Sequence, residues 1–87
     1  MIDSVKLQEL VDAEAKEMAD RLEIKLTVTL TGEATVIGDQ LWYLATDSIE
    51  DSRYPDELSV WQFGVVDGAV AVTNQTSLEN AQDLYED

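Results

Sequence analysis

The sequence predicts an α+β domain in which an N-terminal helix packs on a four-stranded antiparallel sheet and a short C-terminal helix follows. Apolar residues near the N-terminus recur at helical spacing, and later stretches alternate apolar and polar residues as half-buried strands do. Asp67-Gly68 lies between two strand-like runs, which is the signal of a two-residue hairpin. The 87 residues suit a single small domain, residues 1–87, with a core one layer thick.

The first helix is predicted from about Ser4 to Arg21, because apolar residues recur there every three or four positions. Asp3 is placed to cap its first amides. The predicted apolar face comprises Leu7, Leu10, Val11, Ala15, Met18 and Leu22.

The first strand is predicted over Ile24–Thr31, where apolar residues alternate with Lys and Thr. Thr31-Gly32-Glu33 is expected to form a turn, and the β-branched and aromatic run from Ala34 to Thr46 should hold the second strand. Gly38-Asp39-Gln40 interrupts that run. Either a bulge bends one long strand there, or a turn divides Ala34–Ile37 from Leu41–Thr46.

In the second half, a type I′ turn at Asp67-Gly68 fixes the register of the last two strands. Thr76-Ser77-Leu78-Glu79 then matches a capping box that starts the C-terminal helix. With Val66 opposite Ala69, the predicted pairs on the core face are Val65 with Val70, Phe63 with Val72, and Trp61 with Asn74. The predicted core comprises Leu7, Val11, Ala15, Met18, Leu22, Ile24, Leu26, Val28, Trp61, Phe63, Val65, Val70 and Val72. The opposite face, which includes Val60 and Val66, is expected to be exposed.

The composition argues against catalysis. There are 19 acidic and 5 basic residues, no His and no Cys, for a formal net charge of -14. The commonest general base, the thiol nucleophile and the usual zinc ligands are therefore all missing. The acids lack the spacing of a calcium loop, and the glycines match no nucleotide-binding motif, so neither a metal nor a cofactor is predicted.

The charge also restricts the partners. An acidic surface repels phosphates, so direct binding to nucleic acid is not expected. No stretch is long and apolar enough for a membrane span, and the N-terminus lacks a signal-peptide pattern. We therefore expect a cytoplasmic protein without a membrane association. The sequence carries no signal for a particular oligomeric state.

The acid excess admits three interpretations. The first is a protein that presents carboxylates to a basic, nucleic-acid-binding protein in place of phosphates. In size, charge and absent chemistry the chain resembles DNA-mimic inhibitors, a class that includes anti-restriction and anti-CRISPR proteins of phages and some toxin-immunity proteins. The second interpretation is adaptation to high salt, as in halophilic proteins. The third is a small adaptor whose acidity serves solubility alone.

A binding surface, if the first interpretation holds, is predicted at the acidic connection before the second hairpin. Clustered carboxylates there would steer a basic partner, and neighbouring aromatic groups would anchor the contact. A solvated loop without a partner is the competing interpretation of this segment. The candidate residues are Asp47, Glu50, Asp51, Asp56 and Glu57, with Trp42, Tyr43 and Tyr54.

Overall fold

The computed structural model describes residues 4–50 and 53–85. It has the predicted α+β architecture, and the first helix ends one residue beyond its predicted boundary. The cap predicted from Asp3 lies outside the described residues. In chain order the elements are α1 (Ser4–Leu22), β1 (Leu26–Ile37), β2 (Gln40–Ile49), β3 (Glu57–Val66), β4 (Ala69–Ser77) and α2 (Leu78–Tyr85).

The four strands form an antiparallel sheet in the order β1-β2-β3-β4, so each strand pairs with its neighbour in the chain. Gly38 and Asp39 close the first hairpin, with Ile37 opposite Gln40. Both turn residues have positive φ, 56° and 68°, as a type I′ turn requires. Of the two alternatives left open for this segment, the turn is therefore the correct one.

The turn predicted at Thr31-Gly32-Glu33 is wrong, because this segment is an irregularity within β1. Leu30 lies opposite Ala45 and Ala34 opposite Tyr43, so β1 contains extra residues between two paired regions. Gly32 has φ 87°, a conformation that suits a bulge as well as a turn. The segment that follows the bulge therefore belongs to the first strand.

The second hairpin has the predicted turn. Asp67 and Gly68 have φ values of 52° and 81°, and Val66 lies opposite Ala69. The predicted pairing of Val65 with Val70 and of Phe63 with Val72 is confirmed. One pair is wrong: a register shift between Gln62 and Phe63 places Trp61 opposite Gln75 instead of Asn74. Sequence alternation alone cannot reveal such a shift, because the strand continues on both sides of it.

The sheet has an apolar core on each face, which corrects the expectation of a one-layer core. On the face covered by α1, Val11 and Ala15 pack with Val28, Ala45 and Trp61. The other cluster, under α2, comprises Ile37, Trp42, Val60 and Ala81. Successive residues of a strand point to opposite faces, so β2 contributes Trp42 to one core and Tyr43 and Ala45 to the other.

Two residues of the predicted core are exposed. Leu22 is 59% exposed because α1 ends there, and Val65 is 72% exposed because it lies near the tip of the second hairpin. Conversely, Val60 is fully buried, although the sequence predicts it on an exposed face. Its burial follows from the position of α2, which packs on β3 and β4.

Helix α1 is fixed to the edge of the sheet by Gln8. Its side-chain amide Nε2 donates to the Val28 carbonyl at 2.9 Å, and its Oε1 accepts from the Leu30 amide at 2.9 Å. β1 is an edge strand, so these backbone groups point away from β2. A side chain therefore supplies the hydrogen bonds that a fifth strand would otherwise provide.

Helix α2 ends against the first hairpin turn. A Cβ atom added at Gly38 would overlap the backbone carbonyl of Tyr85, so glycine is required there both by φ and by close packing. The Tyr85 ring lies 5.4 Å from the Trp42 ring, measured between centroids. Trp42 is fully buried, and its indole nitrogen has no hydrogen-bond partner among the described residues.

Candidate partner-binding site

The acidic connection joins β2 to β3 at the end of the sheet opposite the two hairpin turns. We call the group formed by Asp47, Glu50, Asp56 and Glu57 the acidic end. The strand register places Asp47 directly opposite Glu57. Glu50 pairs with Lys25 at 3.5 Å, and both of these side chains are largely exposed. Asp51, the fifth predicted acid, lies outside the described residues.

Asp47 differs from the other acids because its carboxylate is part of a hydrogen-bonded chain. The Ser59 hydroxyl donates to Asp47 Oδ1 at 2.6 Å, and the Trp61 indole nitrogen donates to Ser59 Oγ at 2.8 Å. Burial raises the pKa of Asp47, the Ser59 hydrogen bond opposes that shift, and the charge of Glu57 adds to it. Asp47 therefore serves mainly to accept the hydrogen bond from the buried Ser59 hydroxyl, and it contributes less than the exposed acids to the attraction of a basic partner.

Sequence reasoning missed Ser59. It is fully buried, and it lies two residues before Trp61 on the same face of β3. A polar residue at a core-facing position beside an indole nitrogen is the signal that could have found it, because a buried indole N–H requires an acceptor.

The three candidate aromatic residues lie in different places. Trp42 is in the core under α2, and Tyr43 packs edge-on against Phe63 on the other face, with ring centroids 5.4 Å apart. Trp42 is therefore not available to anchor a partner, contrary to the expectation, and Tyr43 is only partly accessible. Tyr54 is 55% exposed and lies 5.9 Å from the Arg53 guanidinium, so it is the candidate that remains at the surface.

A cleft of about 200 Å³ connects the acidic end with the end of α1. Its lining combines apolar side chains with two carboxylate residues, Asp47 and Glu57. A Lys or Arg side chain has the matching character, since its stem is apolar and its end is cationic. The apolar part of the lining comprises Leu22, Ile24, Leu26, Ile49, Tyr54 and Pro55.

The charges are distributed unevenly over the molecule. Of the 15 Asp and Glu residues within 4–50 and 53–85, all but Asp47 are exposed. Residues 26–50 and 54–85 contain no Lys or Arg at all. The acids of the sheet and of α2 therefore have few cations near them in sequence, and most of their charge is presented to solvent.

The described part of the chain contains no group of three or more Asp or Glu residues placed to hold a metal ion. None of its helices is long and apolar enough to cross a membrane. No protein family, no curated protein and no solved structure matches the chain.

Proposed function

We propose that this protein is a non-enzymatic acidic binding protein that occupies a basic, nucleic-acid-binding surface on another protein in the cytoplasm. The observation that carries the proposal is the exposure of 14 of the 15 described acids, in a chain with only 5 basic residues. Carboxylates presented in this way attract cations that would otherwise contact phosphates. An inhibitor from a phage or mobile element, of the anti-restriction or anti-CRISPR kind, would act by this mechanism.

The acidic end supplies the contact in this proposal. Glu50, Asp56 and Glu57 provide exposed charge, and Tyr54 provides an exposed ring. A Lys or Arg side chain of the partner would enter the cleft beside Glu57, with its stem against the apolar lining. Long-range charge would accelerate the encounter, and the cleft and ring would slow dissociation.

A toxin-immunity protein would use the same surface, with a basic toxin as its partner. Adaptation to high salt has weaker support, because acidity that serves solubility should cover the surface evenly. Instead, the hairpin segments 34–41 and 63–72, which expose Val36, Leu41 and Val65, contain two acids, whereas residues 47–57 contain four described acids.

The test is affinity capture from bacterial lysate, followed by binding kinetics with the purified partner. We expect a basic partner that is released by moderate salt and displaced by duplex DNA. The variant Glu50→Gln/Asp56→Asn/Glu57→Gln should slow association by about tenfold at low salt and change dissociation less.

The matched control is Glu9→Gln/Glu14→Gln/Glu17→Gln, which removes the same amount of charge from the exposed side of α1. Its association rate should fall much less. If the two triple variants slowed association equally, the acidic end would act only through its contribution to the net charge. The proposal would be contradicted if no basic protein were captured. It would also be contradicted if binding to the captured partner did not change with salt or with added DNA.

A further inference from the structure

The tips of the two hairpins expose large apolar side chains on the face that α1 only partly covers. Val36 is 64% exposed, Leu41 56% and Val65 72%. Val36 lies directly opposite Leu41, and Val65 lies opposite Val70. We call this region, residues 34–41 together with 63–72, the hairpin end.

Backbone pairing between the two hairpins ends in this region. Pairing of β2 with β3 ends at Tyr43 and Trp61. Beyond this point, the Gln62 side chain donates to the Leu41 carbonyl at 3.3 Å and to Gln40 Oε1 at 3.0 Å. A side chain thus bridges the strands in place of the backbone ladder. Exposed apolar side chains lie on both hairpins beyond this point, Val36 and Leu41 on one and Val65 on the other.

The same face already accepts a helix in its other half. Val11 and Ala15 of α1 pack there against Val28, Ala45 and Trp61. Phe63 and Val72 are at the border of that contact and are only partly buried. The hairpin end is therefore the uncovered continuation of a surface that is suited to the apolar side of a helix.

Charge selects the partner. Residues 30–45 and 58–74 contain three charged side chains, Glu33, Asp39 and Asp67, and all three are acidic and exposed. A second copy of this chain would bring like charges to the rim of the contact, whereas a cationic partner would complement them.

We propose that the hairpin end docks an amphipathic helix of a partner protein. The apolar side chains of that helix contact Val36, Leu41 and Val65, and its Lys or Arg residues lie beside Asp39 and Asp67. This proposal goes beyond the contact at the acidic end and does not depend on nucleic-acid mimicry. It adds a short-range apolar anchor to a molecule whose other surfaces act through charge.

To test this, the full chain is titrated with an 18-residue amphipathic helical peptide of Leu and Lys, and binding is monitored by methyl-resolved NMR. Val36, Leu41 and Val65 methyl signals should shift. The variant Val36→Thr/Leu41→Gln/Val65→Thr should weaken binding by about tenfold or more, because it removes apolar area from the contact. Leu84→Gln, which alters a leucine of α2 that is 71% exposed, should leave the affinity unchanged.

Several outcomes would overturn the proposal. One is that a Lys and Ser peptide of the same charge binds as tightly as the Leu and Lys peptide. Another is that the NMR signals shift only for residues of the acidic end. A third is that the triple variant binds the peptide with unchanged affinity. A dimer in sedimentation that the triple variant dissociates would assign the surface to a second copy. Preferred binding to zwitterionic vesicles would assign it to lipid. If the triple variant does not fold, Val65→Thr alone carries the test, with a smaller expected loss of affinity.

Discussion

The acidic end and the hairpin end are opposite ends of one sheet, and they are built from different kinds of residue. The acidic end has exposed carboxylates, one ion pair with Lys25, and a single half-buried acid that is held by a hydroxyl. The hairpin end has few charges, and it exposes Val36, Leu41 and Val65. Acidic side chains are therefore denser at the acidic end than at the hairpin end.

This difference separates two modes of contact. Exposed charge acts at long range and is screened by salt, with a Debye length of about 10 Å at 0.1 M. Apolar surface acts only on contact, and salt does not screen it. A partner that engages both ends would be steered by one and retained by the other, so mutations at the two ends should change different rate constants.

The largest expected change in stability distinguishes the core in the middle of the sheet from the exposed surface of the hairpin end. Trp61→Ala should lower the free energy of unfolding by about 3–5 kcal/mol, because it removes a fully buried ring and the donor to Ser59. Val65→Ala should change it by less than about 0.5 kcal/mol. Urea unfolding measures both. A large loss in Val65→Ala would mean that this residue is covered in solution.

The two hairpin turns offer a second comparison. In Gly68→Ala, nothing lies within 4 Å of the new Cβ, so we expect only the cost of a positive φ, about 1–2 kcal/mol. Gly38→Ala should cost more, because the new Cβ also overlaps the Tyr85 carbonyl and α2 must move. Thermal unfolding compares the variants. Equal losses would mean that α2 does not pack on the first turn.

Salt separates the proposed binding role from adaptation to high salt. We expect the chain to be folded and to unfold cooperatively in dilute buffer, with about 1 kcal/mol of added stability at 1 M salt from the screening of like charges. Circular dichroism during urea unfolding measures this. A chain that is partly unfolded at low ionic strength and recovers in molar salt would favour the halophilic interpretation.

The smallest expected effect concerns Asp47. Its pKa is raised in the folded state above the ordinary value of 3.8, so the folded state binds the proton more tightly than the unfolded state does. The contribution of Asp47 to stability therefore falls as the pH rises from 3.8 through the raised pKa, and it is constant above that value.

Asp47→Asn removes this pH dependence and the repulsion from Glu57, while its amide oxygen still accepts from Ser59. We expect a gain of about 0.2–1 kcal/mol at neutral pH that disappears at about pH 3. Urea midpoints at the two pH values measure the difference. Glu50→Gln is the control, and a matching gain in that variant would attribute the effect to net charge alone.

The features that the sequence predicted correctly are set by local physics. The 3.6-residue period defined α1, and Asp67-Gly68 fixed the second turn and the pairs nearest to it. The errors arose where two local patterns are alike. Gly32 and Gly38 both have positive φ, but only one of them is in a turn, and strand pairing over longer distances decides which.

The second core was not predicted because it depends on where α2 packs. The alternation in β2 gave no preference between faces, since Trp42 and Tyr43 are both large and apolar. For the same reason, the candidate site wrongly included Trp42 as a surface anchor. Of its described acids, Glu50, Asp56 and Glu57 are exposed, whereas Asp47 is half-buried. The hydrogen bond from Ser59 to Asp47 joins different strands, so no sequence period indicates it.

Gln8 also limits how this sheet can grow. An open edge strand is a template onto which another chain can add a strand, which is a common route to aggregation. At Val28 and Leu30, the outward backbone groups are already bonded to the Gln8 side chain, so an incoming strand would have to displace it. Gln8 of α1 thereby hinders the addition of another strand to the β1 edge of the sheet.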